Sequence, residues 1–143
     1  MATSSATTVW EGGLEHGAGT TTPASEAFAT VDVSWASRTS RAAGETSPEE
    51  LLAAAHASCY CMALAHELGE AGTLPERLEA TARVEFVPDE GVTSSQIVVS
   101  GRVPGIDEHG FGAAAAAAAG DGCPISGALK GNVEITVEAT LES

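Results

Sequence analysis

A capped, alanine-rich segment between Ser47 and Gly72 constrains the fold of this chain more than any other part of the sequence. Ser47 is a preferred N-cap residue, Pro48 suits the first helical position, and Glu50 completes a capping box. Gly72 is typical of a helix C-terminus, so we expect a helix of about 24 residues and roughly 36 Å. Its small residues lie on several faces, which predicts close packing between other elements or between subunits.

Shorter segments with alternating apolar and polar residues surround this helix. We expect three strands before it and, after it, two strands, a second helix, a short helical turn and a last strand. This order predicts one α+β domain with antiparallel sheet over residues 1–143. The expected strands are Thr7–Glu11, Leu14–Thr22, Ala27–Trp35, Leu78–Phe86, Ser95–Val103 and Asn132–Glu142; the second helix begins at Asp107, and the short turn follows Pro124.

The charge balance of the chain is strongly acidic. Its 20 Asp and Glu residues outnumber 6 Lys and Arg residues, for a formal net charge of -14. Such a surface repels nucleic-acid phosphates and anionic lipid headgroups, so we expect neither nucleic acid nor a membrane as a partner. The longest apolar stretch, from Leu51 to Leu68, is interrupted by polar side chains and predicts a buried helix rather than a membrane span.

Aromatic residues make up only 4% of the chain, although apolar residues make up 43%. A core of alanine, valine and leucine is thin for this length, which predicts further burial in an oligomer. The segment from Met1 to Gly13 has neither the basic nor the apolar region of a secretory signal. We therefore expect a cytoplasmic protein.

The sequence contains three cysteines, Cys59, Cys61 and Cys123. An odd number without an export signal argues against a secreted disulfide framework, and leaves reactive thiols or inert, buried thiols as alternatives. Cys61 lies about 200° around the helix from Cys59, so the two do not share a face. We expect Cys61 to be a core residue.

Cys59 and Cys123 lie in different local settings. Cys59 is in the middle of the long helix, beyond the reach of its dipole, so a low pKa at this thiol requires a nearby cation. Arg38 and Arg41 lie in the loop before the helix, where they either serve this purpose or merely solvate the loop. Cys123 follows a glycine-rich stretch and precedes Pro124 at an expected helix N-terminus, which favours an acidic, mobile thiol.

Two other arrangements of these side chains are possible from the sequence. His56 and Cys59 are three residues apart on one helix face, as in a Cys-His nucleophilic pair, although no third orienting group stands at a telling position. His56, Cys59, His66 and Cys123 together supply metal-ligand types, but they lack the close paired spacing of familiar zinc sites.

Several motifs together resemble the osmotically inducible protein C branch of the organic hydroperoxide resistance (OsmC/Ohr) family. The resemblance runs from about Val9 to the C-terminus, and the two cysteine motifs in combination are specific to it. The segments that carry it are Trp10–Gly12, Ser47–Cys59, Met62–Leu64, Gly69–Gly72, Val103–Asp107 and Cys123–Ser126.

This resemblance implies an α+β fold, antiparallel sheet packed with a long central helix, and an intertwined homodimer with a cofactor-free and metal-free peroxidase site at the subunit interface. It implies that Cys59 is the peroxidatic residue and that Cys123 resolves the oxidised sulfur as a disulfide. It also implies that Arg38 and Glu49 form a polar pair around the reactive thiol, with Arg41 as the alternative to Arg38. The substrate would be an organic hydroperoxide, and an external dithiol would reduce the disulfide.

Helix geometry adds a condition to this assignment. Glu49 and Cys59 are ten residues apart on one helix, about 15 Å along its axis. A glutamate that contacts the thiol site must then come from another helix, and the helix of a partner subunit meets this condition. Two other functions remain open: a small-ligand or metal-binding stress protein on the same fold without peroxidase turnover, and a structural stress protein whose cysteines are core residues.

Overall fold

The computed structural model describes residues 1–40 and 44–143. These residues form two compact units, Met1–Leu51 and Leu52–Ser143. Each unit contains a three-stranded sheet. The α+β class predicted from the sequence is thus confirmed, and a single domain over residues 1–143 stays a prediction.

The sheet of the first unit is antiparallel, in the order β1 (Ala6–Glu11), β2 (Ala18–Pro23) and β3 (Val31–Val33). The three predicted strands are confirmed, but the second and third are shorter than expected. β2 begins at Ala18 rather than Leu14, because residues 14–16 form a turn between β1 and β2. β3 ends at Val33, two residues before the predicted end.

A short helix, α1 (Trp35–Thr39), follows β3 directly. The predictions of Trp35 in a strand and of Arg38 in a loop are therefore wrong. The physical reason is a local capping box: the Ser34 hydroxyl accepts the Ser37 N–H, and the Ser37 hydroxyl accepts the Ser34 N–H, both at 3.1 Å. Two serines three residues apart therefore begin a helix where the alternation of β3 stops.

The predicted long helix is confirmed as α2 (Pro48–Glu70). The Ser47 hydroxyl accepts the Glu50 N–H at 3.1 Å, and the Glu50 carboxylate accepts the Thr46 hydroxyl at 2.7 Å. Gly72 adopts a φ of +82°, the left-handed conformation that ends helices. Within residues 1–40 and 44–143, no helix is both long and apolar enough to cross a membrane.

The sheet of the second unit has the order β4 (Arg77–Val87), β5 (Gly91–Arg102) and β6 (Glu134–Leu141). β4 and β5 form the expected antiparallel pair. β6 instead runs parallel to β5, which differs from the expected antiparallel sheet. The reason is a helical crossover between them, since parallel neighbours need a long connection. It consists of α3 (Glu108–Ala117), a π-helical segment (Ala118–Gly122) and α4 (Pro124–Leu129).

The core of the second unit lies between α2, the sheet and the crossover. Tyr60 of α2 is fully buried, and its hydroxyl donates a 2.9 Å hydrogen bond to the Ala115 carbonyl of α3. Gly101 of β5 allows Phe111 of α3 to approach, because a Cβ at Gly101 would lie 2.7 Å from the ring. These contacts fix α3 against α2 and against β5. Other enclosed core residues are Leu64, Leu68, Ile97, Val99 and Ala118.

Candidate active site

The structure brings the side chains of Cys59 and Cys123 into hydrogen-bonding contact. Cys59 projects from the middle of α2 and is half-buried, whereas Cys123 is the N-cap residue of α4 and is 1% exposed. The packing of the crossover against α2 is what joins two residues so far apart in sequence. Both are free thiols, and their contact is what a disulfide between them requires.

The Cys123 sulfur accepts several hydrogen bonds. The Ser126 N–H lies 3.5 Å from it, as expected for an N-cap side chain, and the Ser126 hydroxyl and the Ile125 N–H also contact it. Burial raises the pKa of Cys123, but these hydrogen bonds and the one with Cys59 outweigh burial and lower that pKa overall. The expectation of an acidic thiol at a helix N-terminus agrees with this geometry.

Cys59 is perturbed in the opposite direction. Burial raises the pKa of Cys59, the Ile125 N–H partly offsets this effect, and the hydrogen bond to Cys123 and its charge raise the pKa further. These opposite shifts make Cys123 the more acidic thiol of the pair. For Cys59 to react as a thiolate, a cation must act on it, as the sequence analysis required.

His56 lies one helical turn before Cys59 and is fully buried. Its Nδ1 is 2.7 Å from the Ser95 hydroxyl, and its Nε2 is 2.8 Å from the Ser126 hydroxyl. Both ring nitrogens thus bind serine, which leaves neither for a Cys-His pair with Cys59 or for a metal ion. In the described residues no group of three or more His, Cys, Asp and Glu side chains could hold a metal.

Cys61 faces β4 and contacts the backbone of Ala80. It is half-buried, less enclosed than the core position expected for it. Burial raises the pKa of Cys61, and the contact with Ala80 offsets this only in part. The thiol form of Cys61 is accordingly favoured, and a thiol is a poor nucleophile.

Arg38 and Glu49 form an ion pair in the first unit. Arg38 Nε lies 2.8 Å from Glu49 Oε1, and the Glu49 side chain is only 4% exposed. The arginine also lies against the ring of Trp35, with Cζ 6.0 Å from the ring centroid. The Ser37 hydroxyl lies 2.7 Å from the Thr46 carbonyl oxygen, so α1 is tied to the residues that lead into α2. This bond holds Arg38 near the first turn of α2.

The second oxygen of the Glu49 carboxylate, Oε2, is buried without a hydrogen-bond partner among residues 1–40 and 44–143. A buried acceptor without a partner is costly, by about 1–3 kcal/mol. Such an atom is typical of a site that binds a donor.

The four predicted site residues thus form two pairs. Cys59 and Cys123 contact each other in the second unit, and Arg38 and Glu49 contact each other in the first. The approach of the ion pair to Cys59 stays a prediction. Arg41, the alternative cation, lies outside the described residues.

Ser126 and Ser95 were not recognised from the sequence as site residues. Ser126 carried a usable signal, because it lies three residues after an N-cap cysteine, where its N–H is expected to meet the capping side chain. Ser95 carried none, because it is 39 residues from His56 and reaches it only through the fold.

Comparison with known proteins agrees with these features. The family model described as OsmC-like protein matches residues 41–138. Peroxiredoxin OsmC from Escherichia coli (strain K12) is 38% identical over 137 residues, which is 94% of this chain and 93% of that protein.

Solved structures show the same fold. An organic hydroperoxide resistance protein OsmC from Legionella pneumophila superposes with a TM-score of 0.74 at 23% identity, over 98% of both chains. The organic hydroperoxide resistance protein OhrB of Bacillus subtilis gives a TM-score of 0.66 at 23% identity, over 95% of this chain and 98% of that one. With its family match, its relatives at 38% identity and this shared fold, the chain belongs to the OsmC-like protein family.

Proposed function

We propose that this chain is a thiol-dependent peroxidase that reduces organic hydroperoxides to alcohols, with Cys59 as the peroxidatic and Cys123 as the resolving residue. The contact between their side chains carries the proposal, because a resolving thiol must reach the oxidised sulfur. The names of the relatives, a peroxiredoxin and organic hydroperoxide resistance proteins, support the same reaction.

In the first step the Cys59 proton moves along its hydrogen bond to Cys123, and the Cys59 thiolate attacks the terminal oxygen of the hydroperoxide. An S–O bond forms and the O–O bond breaks, which leaves a sulfenic acid on Cys59 and an alkoxide. The alkoxide takes up the proton that Cys59 had given to Cys123 and leaves as the alcohol. The sulfur is oxidised by two electrons and the peroxide is reduced by two.

In the second step the Cys123 thiolate attacks the sulfur of the Cys59 sulfenic acid. An S–S bond forms, the S–O bond breaks, and the departing hydroxide takes a proton from solvent to become water. An external dithiol then reduces the disulfide by thiol–disulfide exchange and is itself oxidised to a disulfide. A compartment that keeps dithiols reduced suits this cycle, and we propose the cytoplasm.

Arg38 and Glu49 supply the electrostatics of the first step in this proposal. The guanidinium lowers the pKa of Cys59 and stabilises charge on the departing oxygen. Glu49 orients Arg38 through Oε1. Its second oxygen, which has no hydrogen-bond partner among the described residues, is available to accept a hydrogen bond from the hydroxyl of the bound peroxide. A buried ion pair with one free acceptor is well matched to a substrate that carries a single O–H donor.

The site is composite in this proposal, and the functional unit is a homodimer. Ten residues of α2 separate Glu49 from Cys59, about 15 Å along the axis. A side chain of Glu does not bridge that distance, so the Glu49 that serves Cys59 belongs to a partner subunit. The net charge of -14 agrees with a partner set that excludes nucleic acid and anionic membranes.

One equivalent of t-butyl hydroperoxide tests the proposal directly. The reduced protein should lose the mass of two protons, and its count of free thiols should fall from three to one, with Cys61 left free. An unchanged mass would overturn the proposal, and so would a disulfide that includes Cys61.

A further inference from the structure

His56 is a buried titratable group that the reaction as described does not use. It is 0% exposed, and each ring nitrogen lies against a serine hydroxyl. Burial lowers the pKa of His56, so the ring is neutral near pH 7. A neutral imidazole has one N–H donor and one acceptor nitrogen, and which nitrogen carries the proton depends on its two partners.

The Ser126 hydroxyl is shared between His56 and Cys123. Its oxygen lies 2.8 Å from His56 Nε2, and the same hydroxyl contacts the Cys123 sulfur. A hydroxyl has one proton to donate. If that proton points to Cys123, the N–H must be on His56 Nε2. Nδ1 then accepts the Ser95 hydroxyl proton.

This arrangement gives a single consistent order of donors. Ser95 donates to His56 Nδ1, His56 Nε2–H donates to Ser126, and Ser126 donates to the Cys123 sulfur. The opposite order would turn the Ser126 proton towards His56 and leave the Cys123 sulfur without a hydroxyl donor. The protonation state of Cys123 and the tautomer of His56 are thus linked through Ser126.

We propose that His56 is a positioning residue for the resolution step: its Nε2–H occupies the Ser126 oxygen and so directs the Ser126 hydroxyl proton onto the Cys123 thiolate. The proposal rests on the assignment of Cys123 as the resolving thiol. It extends that assignment by naming what keeps Cys123 in the nucleophilic form inside a buried environment.

The chemical consequence concerns the attack of Cys123 on the Cys59 sulfenic acid. In that step the S–S bond forms, hydroxide leaves from Cys59, and solvent supplies its proton. The Ser126 hydroxyl stabilises the thiolate beforehand and is released as the sulfur loses its charge. Among the described residues, the other groups that face Cys123 are Cys59 and Tyr60 of α2 and the Ile125 N–H of α4. Burial raises the pKa of Tyr60, so it stays neutral.

The first test measures the Cys123 pKa in a Cys59→Ser/Cys61→Ser protein, where Cys123 is the sole thiol. Carbon-13 shifts of labelled cysteine report its ionisation against pH without any need for peroxidase activity. Ser126→Ala and His56→Leu should each lower the thiolate-to-thiol ratio at fixed pH about tenfold, as expected for loss of one hydrogen bond to a charged group. His56→Gln should restore part of the loss, because its amide N–H can replace Nε2–H.

The matched control is Ser58→Ala. Ser58 is an exposed serine on the same helix, and its hydroxyl donates to the helix carbonyls of Ala54 and Ala55. The control variant should leave the Cys123 pKa unchanged. If His56→Leu does not fold, the tautomer of wild-type His56 decides the matter by nitrogen-15 NMR. An Nδ1–H tautomer in the reduced protein would overturn the proposal, and so would an unchanged Cys123 pKa in Ser126→Ala.

The second test separates the two chemical steps in a single turnover. Once the Cys59 sulfenic acid has formed, Ser126→Ala should convert it to disulfide about tenfold more slowly than the wild type near pH 7. The difference should vanish well above the free thiol pKa of ~8.5, where Cys123 ionises without help. The proposal would be contradicted if Ser126→Ala and the wild type formed the disulfide at equal rates at both pH values. If the wild-type protein consumed no peroxide while the Ser126→Ala and His56→Leu variants showed the predicted changes in the Cys123 pKa, only the proposed function would be refuted.

Discussion

Arg38 Nε and Glu49 Oε1 are 2.8 Å apart, and the glutamate of this pair is almost completely enclosed while the arginine is about one-third exposed. Packing therefore holds the side chain of Glu49 more firmly than that of Arg38. An unpaired charge at such a position is strongly destabilising, whereas replacement of both partners is tolerated better. The ion pair thus couples the stability of the first unit to the chemistry that we assign to it.

Arg38→Met should raise the pKa of Cys59, because the substitution keeps the aliphatic stem, removes the charge and leaves burial and Cys123, which both raise that pKa. The rate of Cys59 alkylation against pH measures this change. Arg41→Met is the matched control and should leave the profile in place. An unshifted profile in Arg38→Met would remove Arg38 from the site.

Arg38→Met should also lower the free energy of unfolding by about 2 kcal/mol or more, because it leaves the buried Glu49 carboxylate without its cation. The double variant Arg38→Met/Glu49→Gln should regain part of this loss.

Mixed dimers test the assignment of Glu49 to the partner subunit. A dimer of one Glu49→Ala subunit and one Cys59→Ser subunit combines both lesions in one composite site and leaves the other site intact. We expect about half of the wild-type peroxidase activity, where each parent homodimer has little. Verified heterodimers without recovery would show that Glu49 acts within its own subunit or not at all.

Cys59→Ser should abolish the consumption of t-butyl hydroperoxide in excess dithiol and leave the fold intact. Serine is close in size to cysteine, and the position is half-buried on a helix rich in small residues. Circular dichroism checks the fold, and the rate of peroxide consumption checks the activity. Cys61→Ser is the control on the same helix and should keep its activity. Wild-type turnover by Cys59→Ser would end the proposed mechanism.

Cys123→Ser should stop the reaction at the sulfenic acid. Without a resolving thiol, rising peroxide then converts Cys59 to sulfinic acid, which a dithiol does not reduce. Intact mass after peroxide titration should show added oxygen atoms in this variant and the loss of two protons in the wild type. Bridges between subunits in the wild type would show that another pair of thiols resolves the sulfenic acid.

His56 predicts a pH dependence of stability. Its folded-state pKa is lowered by burial, so below the unfolded-state value of ~6.5 the unfolded chain binds a proton that the native chain does not. The free energy of unfolding should therefore fall as pH drops below ~6.5, by up to about 1.4 kcal/mol per unit from this residue. Urea denaturation from pH 7 to 5 measures the slope. His56→Gln should reduce it.

The sequence predicted the long helix well because its signals are local. Ser47, Pro48 and Gly72 act through hydrogen bonds and backbone angles within a few residues, and the structure has α2 at Pro48–Glu70. The start of α1 was also a local signal, from Ser34 and Ser37, but the alternation of the preceding strand obscured it. The parallel pairing of β5 with β6 was not predicted, since it depends on how a whole helical crossover packs.

The candidate site, like the fold, could be predicted from the sequence only in part. The chemical types of Cys59 and Cys123 were visible in the sequence, and their motifs identified the family. Their mutual contact and the direction of their pKa shifts were not, because both depend on the enclosure and on donors such as the Ser126 hydroxyl. The bonds from His56 to two serines join three elements that are distant in sequence.

The π-helical segment Ala118–Gly122 has a consequence for how related sequences should be aligned. A π-helical turn holds one residue more than an α-helical turn. Deletion of one residue here would let the chain wind as an ordinary helical turn of about the same rotation, so that Cys123 would still face Cys59. Gly120 has open space at its Cβ position and can be exchanged for alanine. A one-residue gap at this point in a related sequence is therefore compatible with paired thiols when both cysteine motifs are intact.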